Sequence, residues 1–503
     1  MHGGTTKACL WQACEAQPSG CDSEKAREVG LDAAPILFVK SADAVAESWS
    51  HPRLLRVALG RTTLLVLSRI LVVLALLYVL ASLLIYGFLP DHHSLAFPLL
   101  AEPPRGEEGL RIPTFADLRW VTAHSECGVS MNDLASGVSV GCGPFGRKSS
   151  SLTYPPMSIL VARFLAVKGQ HTGLLGFSFG VAVITILALL NRRLVKPEWF
   201  ANGLLALVLL GFPLQLALER ANIDSVIFLL LAALAAVSCL TARWAALPAA
   251  GLAWLVVAIK MYPFVGITAW YMNSWRDWRR RPWLALAVIA GTGAGVASVL
   301  RWYRRSGGTA VQTINRDIGH GLIVPQMSTQ LPLSWLPSDH GPLQIPIQPL
   351  LAIGLVLLAW LCWRRLGLHR HWLKLVHTRA EGFERHCLTS LPSLLALVWL
   401  ACYFLSGSYD YRLILALPAL IGCSAILTAE PGLRPPARAA LALILLGVIY
   451  GWFAPLFPPS SLPFRLNLVC DLVFMPLLAG TLLAMVAAPP TGLQRGGASP
   501  TAT

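Results

Sequence analysis

Glu219-Arg220-Ala221-Asn222-Ile223-Asp224 interrupts two apolar runs, LVLLGFPLQLAL before it and SVIFLLLAALAAV after it. Ionisable side chains this close to a membrane segment are costly and point to function. Polar groups also stand at Asp117-Leu118-Arg119, Tyr154-Pro155-Pro156, Lys260-Met261-Tyr262-Pro263 and Ser408-Tyr409-Asp410-Tyr411-Arg412. Their types suit one kind of chemistry. A carboxylate takes the proton of an attacking hydroxyl. Arginine and lysine clamp a phosphate and stabilise its charge as it leaves. Tyrosine stacks on sugar rings or stands in an interfacial belt. Together they fit transfer of a phosphate-activated group to an acceptor hydroxyl at a membrane surface.

The elements that must position these residues are apolar. Of the 503 residues 55% are hydrophobic and 13% charged, with mean hydropathy +0.61; a soluble chain carries about 25% charged residues. The composition predicts an all-α polytopic membrane protein. A membrane barrel is excluded, because its strands would alternate over about ten residues. The net charge of +15 does not indicate nucleic acid, because the arginines cluster in short loops between apolar runs, as the positive-inside rule describes.

Those basic loops give a topology. Arg53, Arg56 and Arg61 precede a first span at 64–89 and place the N-terminus inside. Residues 1–62 read as a mostly disordered cytoplasmic tail, 63–488 as the transmembrane domain and 489–503 as a second disordered tail. The loop 90–154 falls outside, and NRRLVKPEW at 191–199 falls inside. One crossing at 172–191 joins them, which leaves 156–167 as a short interfacial or re-entrant helix. A span at 200–217 goes out and one at 224–240 returns. The run 245–272 starts and ends inside, so it must turn near its middle. Pro263 supplies the break, and two short helices meeting at Lys260 to Pro263 line a cavity. Further spans at 283–300, 347–363, 389–405, 412–428, 439–456 and 466–487 bring the bundle to about 11–12 crossings, with both termini cytoplasmic. GTGAGVAS at 291–298 reads as helix packing through small residues. Arg301, Arg304 and Arg305 fall outside against the rule. Either the topology differs there or they serve an anionic ligand.

With that topology all five polar groups share the outer rim, and Arg316, Asp317 and His320 lie in a loop on the same side. Each group has a structural reading too. Asp117 can cap a helix beginning LRWVTA. Glu219 and Arg220 can form an interfacial ion pair. Asn222 and Asp224 can cap the following helix, Lys260 can snorkel to the headgroups, and Tyr409 and Tyr411 can belong to an aromatic belt. The eleven cysteines lack metal-ligand spacing, and no metal or cofactor is expected. Cys239, Cys362, Cys402 and Cys423 lie in apolar runs and read as small hydrophobes. Cys127 and Cys142 share the long loop 90–154, where a disulfide is possible if that loop is extracytoplasmic.

ERANIDSVIFLLL, AIKMYPFVGI, YPPMSILVA and SYDYRLILALPALI occur in an order that resembles the bacterial polyprenyl-phosphate-dependent glycosyltransferases of family 87. These include α-mannosyltransferase-like members and belong to the GT-C superfamily. The resemblance covers roughly residues 64–430. It implies a plasma-membrane hexosyltransferase of the cell envelope with a long first extracytoplasmic loop. The implied donor is a lipid-linked polyprenyl-phosphate sugar, the acceptor a glycan or glycolipid hydroxyl, and the transfer inverting. Asp117 in TFADLRWVTA matches the catalytic acid of that loop; Glu126, Asp133 and Asp91 are other acids there. Arg220, Lys260 and Arg412 would hold the departing phosphate. Arg119, Tyr154, Glu219, Asn222, Asp224, Tyr262, Tyr409 and Asp410 would line the sugar and acceptor side. Ala221 departs from the pattern, since an ERGNID-like form would carry glycine there. A transporter or flippase for a glycolipid is the alternative. It expects an inverted repeat, and no convincing repeat is visible.

Overall fold

The computed structural model describes residues 52–88, 115, 118, 121–122, 157–166, 168–221, 223–273, 279, 281–305, 347–405, 410–429, 432–453, 462, 466 and 473–487. They fall into two units, Met1–Leu67 and Ser68–Thr503. The described part of the first is the opening turns of α1. Everything below concerns the second.

The described residues hold no strand. The helices are α1 (Pro52–Phe88), α2 (Met157–Phe164), α3 (Thr172–Leu194), α4 (Glu198–Leu210), α5 (Phe212–Arg220), α6 (Ile223–Cys239), α7 (Ala246–Ile259) and α8 (Pro263–Asn273). After them come α9 (Pro282–Arg305), α10 (Ile347–Arg365), α11 (Leu368–Arg379), α12 (Gly382–Leu405), α13 (Leu417–Ala429), α14 (Pro435–Phe453) and α15 (Met475–Val486). Five are long and apolar enough to cross a membrane. Two bent pairs, α4 with α5 and α10 with α11, pass the same test together, and four further helices are apolar but shorter. Leu71, Leu74, Leu77 and Leu84 of α1, Leu286 and Ile289 of α9, and Leu443 and Leu446 of α14 are exposed. Leucine faces of that extent suit acyl chains and not water. The chain has the architecture of an all-helical membrane protein.

The interior is a second shell of helices. Leu417–Ile426 of α13 are buried on every face, as expected for a helix apolar all round. In α12, Leu394 to Tyr403 form an unbroken buried stretch, and α12 packs against α6, α8, α13 and α15. Small residues bring backbones together. A Cβ at Gly173 would collide with the carbonyl of Gly87, so α1 and α3 touch there. A Cβ at Gly266 would lie 2.5 Å from Val398 Cα, which seats α8 on α12. In GTGAGVAS, Gly291 lies on the Ala250 backbone and Gly295 on Trp254 and Val257 of α7, so the small-residue reading holds.

These contacts orient the bundle. At one end Arg69 pairs with Glu198 at 2.9 Å and Arg193 with Glu384 at 3.1 Å. Arg281 Nη1 donates to the carbonyls of Ser238 and Leu240, closing the last turn of α6. From that end α4, α7, α9, α12 and α14 start; α6, α8, α10, α13 and α15 return to it. The expected turn near Lys260 is present: α7 ends at Ile259 and α8 begins at Pro263; α7 packs beside α9, which starts from the same end, and α8 runs back along α12, with Gly266 on Val398. Proline fits the first helical position because its missing N–H is not needed there.

Three elements differ from the sequence expectation. The span expected at 200–217 is two helices bent by 47° at Gly211. Pro213 starts the second, and the buried Gln215 side chain donates to the Leu209 carbonyl that the break frees. The span expected at 412–428 begins with a 3-10 stretch, Asp410–Leu415, before α13. The basic loop expected at 364–387 contains helix α11. Of the cysteines read as small hydrophobes, Cys239, Cys402 and Cys423 are buried and Cys362 is exposed.

Candidate functional site

Three chain interruptions meet at the end of the bundle opposite the ion pairs. The first is Ala221, between α5 and α6. It takes the left-handed conformation, φ 42° and ψ 49°, and its N–H donates to the carbonyls of Ala217 and Leu218. That is the helix-ending turn glycine usually fills, and alanine pays about 1 kcal/mol to hold it. The second is Lys260, extended at φ −144° and ψ 138° between α7 and α8. The third is the 3-10 stretch Asp410–Leu415, which packs on both α5 and α6.

Their side chains converge on Asp224, in the first turn of α6. The Lys260 ammonium donates to Asp224 Oδ1 at 2.6 Å, and the Tyr262 hydroxyl donates to the same oxygen at 2.7 Å. Arg412 Nε stands 3.6 Å from Asp224 Oδ2, an ion pair without hydrogen-bond geometry. The Tyr262 ring lies between the cations, with its centroid 5.8 Å from Lys260 Nζ and 5.5 Å from Arg412 Cζ. The Cys402 thiol stands beside the Tyr262 hydroxyl. Asp224 is 0% exposed, Lys260 9% and Arg412 9%.

This burial corrects one expectation. The sequence placed the group on a wet rim, where charge is cheap; the structure puts it inside the protein. A buried carboxylate persists only with close compensation, and Lys260 and Arg412 supply it. Lys260 bonds to Asp224 and does not snorkel. Asp224 lies in the first turn of its helix, where negative charge also meets the helix dipole favourably.

A segment of the long loop 90–154 reaches the same end. Phe115 N donates to the Glu219 carbonyl at 2.6 Å. The Phe115 ring is buried, edge-on to Tyr86 at 6.2 Å, and lies over Gly176, where a Cβ would come within 2.6 Å of it. Leu118, Val121 and Thr122 are buried as well, and the hydroxyls of Thr122 and Thr172 lie 3.0 Å apart. The glutamate of the cluster is half-buried and is the charged neighbour of Tyr86.

Of the residues singled out in the sequence, Lys260, Asp224, Tyr262 and Arg412 are brought together. Glu219 stands one turn of chain away. Arg220 closes α5 and Asp410 opens the 3-10 stretch. Asp117, Arg119, Tyr154, Asn222, Tyr409, Cys127 and Cys142 lie outside the described residues. Phe115 and Tyr86 are not among the residues the sequence points to, and Cys402, expected as a small hydrophobe, stands beside Tyr262. Tyr86 is a tyrosine near the end of an apolar span that also holds Tyr78 and Phe88. Among the described residues no group of three histidine, cysteine or acidic side chains could hold a metal ion.

No family model, curated protein or solved structure matches this chain. The class of protein is defined by its fold, and the site has to be read from its own residues.

Proposed function

We propose that the chain is a membrane glycosyltransferase that takes a hexose from a polyprenyl-phosphate sugar and passes it, with inversion, to a glycan or glycolipid hydroxyl. One observation carries this reading: two buried cations converge on one buried carboxylate at the end of the bundle where Phe115 bonds to Glu219. Lys260 and Arg412 bring two positive charges to one point of the bundle. A pair of cations suits a phosphate, whose oxygens accept charge-assisted hydrogen bonds. It would stabilise the phosphate most as the sugar departs and negative charge grows. Asp224 then acts as a positioning residue that holds both cations, and not as a sugar ligand. Asp117 is the proposed base. Phe115, two residues before it, is anchored to Glu219 by the backbone. We place this end of the bundle on the extracytoplasmic side, as the basic loops at the other end require.

The test is transfer of label from a radiolabelled polyprenyl-phosphate hexose to acceptor lipid by purified protein in liposomes. Asp117→Asn should abolish transfer while the thermal unfolding midpoint stays in place. Movement of intact glycolipid across the bilayer without transfer would replace this reading with a transporter.

A further inference from the structure

Helix α11 lies at the basic end of the bundle, far from the Asp224 cluster. It bends away from α10 by 58°, at Gly367, whose φ of +73° makes the turn. It then runs across the ends of other helices, packing on α3, α10, α12, α13 and α15. One face is apolar and buried: Leu368, Trp372, Leu375 and Val376. Trp372 lies on Gly422 of α13, where a Cβ would come within 2.9 Å of its ring, and His369 Nδ1 is 2.8 Å from the Met485 carbonyl of α15. The opposite face carries exposed Arg370, Lys374 and His377. The sequence LHRHWLKLVHTR has no acid.

The elements around it show what this face meets. Leu357, Leu358 and Leu361 of α10 are exposed just before exposed Arg364 and Arg365. Arg364 lies over the Trp360 ring at 5.0 Å. Leucines suited to acyl chains, then a tryptophan–arginine pair, then a cationic helix turned across the bundle: that is the order of a bilayer from hydrocarbon to headgroup. The second half of this bent pair is therefore not the continuation of a span. We propose that α11 is an in-plane helix that binds anionic phospholipid headgroups through Arg364, Arg365, Arg370 and Lys374. The charge is of one sign, and each such cation near an anionic surface strengthens binding several-fold.

The proposal needs a membrane but not sugar transfer, so its test is read without donor. The purified full chain is equilibrated with equal amounts of phosphatidylglycerol and phosphatidylcholine, and the lipids retained are counted by native mass spectrometry. The unaltered protein should retain phosphatidylglycerol in preference. In the double variant R370Q/K374Q that preference should fall roughly tenfold. Both side chains are exposed, and the thermal unfolding midpoint of the variant confirms that it folds. Equal retention of the two lipids by the unaltered protein, or an unchanged preference in the folded double variant, overturns the proposal.

Discussion

The two ends of the bundle handle charge in opposite ways. At the basic end every side chain of the pairs Arg69–Glu198 and Arg193–Glu384 is 40% or more exposed. At the other end Asp224, Lys260 and Arg412 are taken out of solvent and delivered by three breaks in the chain. Exposed pairs contribute about 0–1 kcal/mol. A buried group is costly to assemble and costlier to leave half-made. A protein needing only rigidity would put apolar side chains there. The contrast separates exposed charge at the helix ends from charge buried inside the protein.

The contrast can be broken by removing one partner at each end. Asp224→Ala leaves two cations buried without their carboxylate and should destabilise the fold by about 3–5 kcal/mol, read by denaturant unfolding in detergent. A loss under about 1 kcal/mol would mean that water reaches the cluster. Tyr262→Phe keeps the ring between the cations and removes one hydrogen bond to a charged oxygen, for a loss of about 2 kcal/mol. Ala221→Gly relieves the left-handed alanine and should stabilise the fold by about 0.5–1 kcal/mol; a loss instead would show that the methyl group packs productively. Arg69→Gln should change stability by about 0–1 kcal/mol. An effect as large as that of Asp224→Ala would erase the difference between the ends.

Much of the scaffold was legible because membrane helices announce themselves by composition. The turn at Lys260 was legible because basic sequence lay on both sides of one apolar run, and Pro263 marked the place. Charge position was legible too, since acids and bases stand out in apolar sequence. Burial was not. Whether Asp224 is wet depends on Lys260 and Arg412 arriving from distant segments, and no local pattern encodes that convergence. The bend at Gly211 was hidden because Gln215, an odd residue in an apolar run, bonds to the freed carbonyl locally. Helix α11 falls in an expected loop because charges dominate its composition, while the spacing of Leu368, Trp372, Leu375 and Val376 is helical.

The central claim is that the buried cluster receives a lipid-linked phosphate. The direct measurement compares binding of polyprenyl phosphate and of the corresponding polyprenol to the same purified protein, unaltered and as Arg412→Gln. The unaltered protein should bind the phosphate at least about tenfold more tightly, the equivalent of one charge-assisted hydrogen bond. The variant should lose most of that margin while its affinity for polyprenol stays the same. Equal affinity of the unaltered protein for the two lipids, or a margin untouched by Arg412→Gln, would contradict the claim.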